Sequence, residues 1–312
     1  MRVLITGGAG FIGSHSAEVL RARGIELTVL DNLSTGHLDN LSSLGGRFRF
    51  LEGDVRDPEA LNSAMEGCQA VLHLAALVSV PESIRSPLLA HAINATGTLN
   101  VLEAARAQGI KRVVLASSAA VYGENQNLPL GEGEAAQSLS PYAAQKYLGE
   151  VYASIYSHLQ GMSPVCLRYF NVFGPRQDPA SPYSGVLSLF IEALVQGKKA
   201  TIFGDGGATR DFVYVEDVAL ANLLAILAPE SSEPLIFNVG TGKRTSILQA
   251  FEAVREAAGV QATPAFAPPR EGDIVHSCAD IGRARASLGY HPRFSFSEGI
   301  TRTVAWSQGG NA

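Results

Sequence analysis

Through the first half of the chain, short β-branched apolar runs alternate with longer stretches that repeat at helical spacing. The runs RVLIT (2–6), LTVL (27–30), FRFLE (48–52), AVLHLA (70–75), RVVLAS (112–117) and PVCLRY (164–169) predict strands, apolar without a clean polar alternation. Helix-period stretches lie between several of them, such as 87–108, which stops at Gly109. Continuously apolar strands joined by helices must be covered on both faces, which implies a parallel, doubly wound α/β sheet. Beyond about residue 170 the pattern changes: Pro and Gly rise in NVFGPRQDPASPYSG and IFGDGGATRDF, and the elements shorten. Helical patterns at 216–228 and 246–258 flank another strand, IFNVG (236–240). The expectation is a doubly wound domain over 1–170 and a smaller C-terminal α/β lobe over 171–312, with 211–240 able to return to the first domain.

Composition narrows the classes. With 312 residues, 46% hydrophobic and 17% charged, the chain reads as a soluble globular protein with a large core. A formal net charge of -5 with no block of Lys and Arg argues against a nucleic-acid or anionic-membrane partner. Cys68, Cys166 and Cys278 lie far apart, and neither they nor His73, His91, His276 and His291 show metal-ligand spacing, so no metal is expected. No apolar run approaches the roughly 18 residues that cross a bilayer, and no apolar h-region precedes the first strand. A reduced, cytoplasmic protein is the expectation.

The first chemical signal is TGGAGFIGS (6–14), which follows the first strand and leads into a helix pattern. Gly7, Gly10 and Gly13 allow a tight turn, a close approach of pyrophosphate to the backbone, and close helix packing, while the helix N-terminus faces the phosphate charge. Phe11 and Ile12 belong to the same turn. Asp31 closes the second strand 18 residues after Gly13, where a carboxylate accepts from ribose hydroxyls and repels a 2′-phosphate. No arginine follows in DNLSTGH, so NAD is expected rather than NADP. Asp54, after the third strand, is placed for the adenine edge, or is simply a turn aspartate; HLAA (73–76) is small enough for a cofactor to lie against its backbone.

A second signal is SPYAAQKYLGE (140–150). Ser140 suits a helix N-cap and Pro141 the first helical position, so Tyr142 and Lys146 share one face, a turn apart. SSAAVYG (117–123) begins at the end of the fifth strand, on the carboxyl edge where doubly wound sheets bind ligands. A hydroxyl from Ser117 or Ser118, the Tyr142 phenol and the Lys146 ammonium would then converge. Removing hydride from an alcohol needs a base for its proton, and bringing a tyrosine from about 10 towards 7 takes roughly 4 kcal/mol of preference for phenolate. A lysine at hydrogen-bonding distance and a positive nicotinamide ring are the expected sources.

These residues resemble the extended short-chain dehydrogenase/reductase family over essentially the whole chain: TGGAGFIG, DN at the second strand end, HLAA, SS-x-x-VYG, Y-x-x-x-K and RYFNVFGPR (168–176). Within it the chain is most similar to the nucleotide-sugar 4-epimerases. That resemblance implies a Rossmann fold, a tightly held NAD⁺ and a UDP-sugar substrate epimerised through a 4-keto sugar. It implies catalysis by Ser118, Tyr142 and Lys146, and cofactor contacts from Asn32, Asp54, Val55, Leu74, Ala75, Ala76, Asn94, Ser117 and Phe170. For the substrate it implies Ser79, Asn171, Val186, Phe203, Arg210, Arg270 and Asp273, with Arg176 and Gln177 near the sugar. The arginines offer rigid forks to a diphosphate. Acidic residues that related dehydratases carry are Ala119 and Ala120 here, which argues against dehydration.

Three readings follow: an epimerase, a nucleotide-sugar oxidoreductase that releases NADH, or a dinucleotide-sensing regulatory protein without catalysis. A homodimer through the helices at about 90–108 and 142–160 is implied by the resemblance. Ser277, in REGDIVHS, stands where the resembling enzymes carry tyrosine for plain UDP-hexoses and a small residue for N-acetylated ones. A hydroxymethyl in place of a phenol frees room for an acetamido group, so interconversion of UDP-GlcNAc and UDP-GalNAc is expected, with UDP-glucose and UDP-galactose as the alternative.

Overall fold

The computed structural model describes residues 1–178, 185–269 and 274–309. The first half runs β1 (Arg2–Thr6), α1 (Phe11–Ala22), β2 (Glu26–Asp31), β3 (Arg49–Glu52), α2 (Pro58–Met65), β4 (Ala70–His73), α3 (Val80–Arg85), α4 (Pro87–His91), α5 (Gly97–Ala107), β5 (Arg112–Ser118), α6 (Pro141–Gln160) and β6 (Val165–Tyr169). The second half runs β7 (Asn171–Phe173), α7 (Val186–Val195), β8 (Thr201–Phe203), β9 (Thr209–Arg210), β10 (Phe212–Tyr214), α8 (Val215–Leu227), β11 (Leu235–Val239), β12 (Thr245–Ser246), α9 (Ile247–Ala258), β13 (Ala265–Ala267), α10 (Gly282–Leu288) and α11 (Phe296–Ser307).

Seven strands form one sheet in the order β11-β6-β5-β4-β1-β2-β3, every pair parallel. The order reverses between β1 and β4, and a parallel sheet opens a crevice at the carboxyl ends where that happens. One face is covered by α1 and α8, whose core includes Leu20, Val29, Leu72 and Phe237; the other, with Leu61, Val101 and Cys166, lies under α2, α5 and α6. Burial on both faces explains the unalternating apolar strands. A third core, around Phe173, Phe190, Phe212 and Phe251, joins α7, α9 and α11 to the short strands of the second half. The segment after 210 crosses back: β11 pairs with β6 and α8 packs on α1.

The helical stretch expected over 87–108 is interrupted. Between α4 and α5, residues Ala92–Thr96 form a wider π turn. That turn carries Asn94, whose Oδ1 accepts from Leu77 N at 2.8 Å and whose Nδ2 donates to Leu77 O at 2.9 Å. A single extra residue in the helix lets one side chain reach both groups of a neighbouring peptide, a use to which such turns are often put at functional sites. No helix of the described residues is long and apolar enough to cross a membrane.

Candidate active site

The loop leaving β1 is built to bring backbone close to a ligand. Gly7 takes φ of +70°, and a Cβ there would lie 2.7 Å from Ala75 N, in the loop leaving β4. A Cβ on Gly13 would lie 2.2 Å from Gly7 O, so helix and turn fit only with glycine. Gly10 is the N-cap of α1, which has no side-chain cap and no acidic residue in its first turn. Phe11 and Ile12 open that helix, and its first-turn N–H groups are left for an anion. Asp31 ends β2 with its carboxylate accepting from Ala9 N and Leu33 N, both at 2.9 Å. It therefore braces the glycine turn from the end of the second strand.

Behind this turn, Leu74 N donates to Thr6 O at 3.1 Å and Ala75 and Ala76 continue along the same loop. Asp54 is less free than its position suggests. Its carboxylate takes two hydrogen bonds from the Arg56 guanidinium at 2.8 Å and one from Asn32 Nδ2 at 2.8 Å, and the Arg56 bonds hold it well below the usual carboxylate range. Val55 is buried against Gly97, and Phe170 is buried with its ring 6.3 Å from that of Tyr122.

The catalytic candidates meet where β5 faces α6. Ser140 caps α6 by accepting from Ala143 N at 3.1 Å, with Pro141 at the first position, as its sequence predicts. The Tyr142 backbone N–H donates to Ser83 Oγ at 3.2 Å, which fixes the start of the helix. Ser118 Oγ accepts from Ala120 N at 3.1 Å and hydrogen-bonds the Tyr142 phenol. Of the two serines the sequence offers, Ser118 is the one that meets Tyr142. Ser117 instead donates to Glu150 Oε1 at 2.5 Å, in the buried seam. Lys146 Nζ donates to Ala116 O at 2.8 Å and lies 5.8 Å from the centroid of the Tyr142 ring.

This geometry corrects one expectation. Lys146 bonds the strand carbonyl rather than the phenol, and burial raises the Tyr142 pKa above its ordinary value; the Ser118 hydrogen bond opposes this only in part. Burial also lowers the Lys146 ammonium to about 8. The lowering of the phenol towards neutrality is thus not supplied by the chain alone, because desolvation penalises phenolate more than one neutral hydrogen bond favours it. His73, bonded to Thr6 Oγ1 at 2.7 Å and Thr98 Oγ1 at 3.0 Å, is pushed down to about 3 by burial and by Lys146, so it stays neutral.

The other candidates spread along the second lobe and the rim. Ser79 is buried, its Oγ capping α3 by accepting from Glu82 N at 2.9 Å. Asn171 opens β7 with its N–H on Asp211 O at 3.0 Å, and Val186 opens α7. Phe203 ends β8, half exposed. Arg210 ends β9 and donates to Thr209 O at 3.0 Å and Val275 O at 3.3 Å, while Ser277, 7% exposed, bonds Thr209 O through its own N–H at 3.1 Å. Arg210 and Ser277 thus share one strand pairing. Arg176 turns its guanidinium to Glu18 of α1 at 2.5 Å. Gln177 Nε2 reaches Val172 O at 3.4 Å. Arg270 and Asp273 lie outside the described residues.

Comparison with known proteins places the chain in a family. A model of the NAD dependent epimerase/dehydratase family matches residues 3–240. The chain belongs to that family. A putative UDP-glucose 4-epimerase of Methanocaldococcus jannaschii is 41% identical over 313 residues, covering 99% of each chain. A UDP-N-acetylglucosamine 4-epimerase from Methanobrevibacter ruminantium, solved in complex with UDP-N-acetylmuramic acid, matches with a TM-score of 0.93 at 39% identity, covering 98% of this chain and 97% of its own. A UDP-glucose 4-epimerase of Thermus thermophilus, solved in complex with NAD, matches with a TM-score of 0.90 at 42% identity over 99% of each chain. NAD is the cofactor of this family member, and the glycine turn, the uncapped α1 and Asp31 fit it.

Sequence reasoning named Asn94 for the cofactor but missed Gln145, Glu150 and Arg168, which hold the site from behind. Asn94 also donates to Gln145 Oε1 at 2.9 Å, tying the β4 loop to α6. Glu150 and Arg168 pair beneath Ser117. The signal was present, since Glu150 continues the Tyr142–Lys146 spacing by one more turn. The glycine cradle gives a direct test. Gly13→Ala should lower the NAD content of the purified protein at least about 10-fold, whereas Gly131→Ala, whose Cβ would meet nothing within 4 Å, should leave it unchanged. Equal NAD content in both variants, read by absorbance after denaturation, would show that the turn does not hold the cofactor.

Proposed function

We propose that this chain is a UDP-sugar 4-epimerase that interconverts UDP-GlcNAc and UDP-GalNAc and acts more weakly on UDP-glucose and UDP-galactose. The observation that carries the reading is the meeting of Ser118, Tyr142 and Lys146 at the carboxyl end of β5. Tyr142 takes the proton of the sugar 4-hydroxyl and returns it after the sugar has turned. Ser118, its lone pair on Ala120 N–H, is left to donate to Tyr142 and passes that proton in either orientation. Lys146, set in place by the Ala116 carbonyl, is the residue assigned to the nicotinamide ribose. Bound NAD⁺ supplies the hydride acceptor and donor at C4, with a positive ring that favours phenolate. UDP is the tether while the 4-keto sugar turns, and Asn171, Phe203, Arg210, Arg270 and Asp273 are the residues assigned to it.

Tyr142→Phe should cut turnover by roughly 10²-fold or more, with UDP-GlcNAc conversion followed by NMR. Wild-type turnover in that variant would remove Tyr142 from the reaction, absence of turnover on any UDP-sugar by the wild type would favour a dinucleotide-sensing protein, and steady release of NADH would favour a net oxidoreductase.

Ser277 supports the N-acetylated substrates. It is buried beside Thr209, and its hydroxymethyl is far smaller than the phenol that the resemblance associates with plain UDP-hexoses. The names of the relatives support the plain hexoses as the alternative, since several are called UDP-glucose 4-epimerase. Ser277→Tyr separates the two: activity on UDP-GlcNAc should fall at least about 10-fold while UDP-glucose activity holds or rises. An unchanged ratio would mean that Ser277 is not the gate.

A homodimer is part of the same reading. Ile84, Leu88 and Leu89 on α3 and α4, with Tyr147, Ile155 and Leu159 on the adjoining α6, are exposed together. The rest of α5 turns Glu103 and Arg106 outward instead. Such an apolar face is what a second copy would cover about a two-fold axis. Light scattering at micromolar concentration should give twice the chain mass, and Leu88→Glu should return the protein to monomer; a monomeric wild type sinks this part.

A further inference from the structure

Tyr142, Lys146 and Glu150 follow one another at four-residue spacing down one face of α6. The proposed reaction uses the first two. The third is buried: its side chain is 3% exposed, and that of its partner Arg168 is 4% exposed. Arg168 Nε and Nη2 donate to the two carboxylate oxygens at 2.8 and 2.7 Å, and Ser117 Oγ adds a third bond at 2.5 Å. A buried ion pair adds little net stability, since desolvating both charges offsets their attraction, and an apolar pair of similar volume would hold the layers together as well. What the apolar pair would lack is direction.

The direction is visible in the pairing. Three successive residues of β5 receive three turns of α6: Ser118 meets Tyr142, the Ala116 carbonyl meets Lys146, and Ser117 meets Glu150. Arg168 is the β6 register partner of Ser117, so the Ser117–Glu150 tie spans two strands. The cavity beside Lys146, Ser117 and Glu150 is about 10 Å³, room for no more than one water, so the helix has little slack there. We propose that Glu150, held by Ser117 and Arg168, is a positioning residue that sets the height and rotation of α6 so that Lys146 and Tyr142 meet β5 in reacting geometry.

This rests on Tyr142 and Lys146 being the reacting pair, so the test includes them. Steady-state epimerisation is measured on the UDP-hexose that turns over fastest, normalised to protein-bound NAD, for Glu150→Gln, Ser117→Ala and Tyr142→Phe. Glu150→Gln keeps the shape and removes the charge. Ser117→Ala removes one tie and leaves no charge unpaired, so it decides alone if the first variant does not fold. The expected result is a fall in kcat of at least about 10-fold for Glu150→Gln and about 3-fold for Ser117→Ala, with KM within about 3-fold of wild type. A kcat unchanged in every variant that folds, or a loss confined to KM, overturns the positioning role while an inactive Tyr142→Phe leaves the reading of the site standing. If Tyr142→Phe turns over like wild type, the reaction assignment falls, and this role with it.

Discussion

The seam between β5 and α6 is the constraint on which the rest of the site depends. A helix packed on a sheet by apolar contact alone can slide or roll by a fraction of a turn at small cost, because dispersion is not directional. Here the contact is polar at three turns of the helix, and each bond ties one helix side chain to one residue of the strand. Polar groups in a dry seam are costly unless satisfied, so the register that satisfies all of them is strongly preferred. The same logic extends outward. Asn94 bonds Gln145 of α6 and both groups of Leu77, which ties the helix to the loop that the glycine turn touches through Ala75. Cofactor cradle and catalytic helix are thus one connected framework.

The parts legible in the sequence were those with a short-range physical signature. Ser140 and Pro141 marked the start of α6 because capping is a matter of a few consecutive residues. Gly7 and Gly13 marked the turn because only glycine tolerates those approaches. The parallel sheet was legible because burial on both faces removes the polar alternation of strands such as β1 and β5. The π turn at Ala92–Thr96 was not, since its cause is a bond from Asn94 to a peptide 17 positions earlier. The pairing of Arg168 with Glu150 was equally hidden, although the helical spacing already placed Glu150 on the Tyr142–Lys146 face. A motif of charged residues 18 positions apart says nothing until β6 is laid beside β5 and α6 across them.

The surroundings of the Tyr142 phenol are not legible from spacing for a related reason. A tyrosine and a lysine one helical turn apart suggest an ion pair, because spacing reports which side chains can meet but not how dry the meeting place is. The fold partly buries both. Burial acts on the two groups in the same sense, towards neutrality: it raises the phenol and lowers the ammonium to about 8. With the lysine committed to the Ala116 carbonyl, the chain does not by itself stabilise a phenolate. A site that is dry and rigid before its ligands arrive can orient a proton acceptor yet leaves its charge to be set by what binds beside it. That division of labour explains why so many of the polar contacts around Tyr142 and Lys146 are geometric, to carbonyls, hydroxyls and amides, and why the nearest full charges, on Glu150 and Arg168, are paired with each other instead of with the reacting groups.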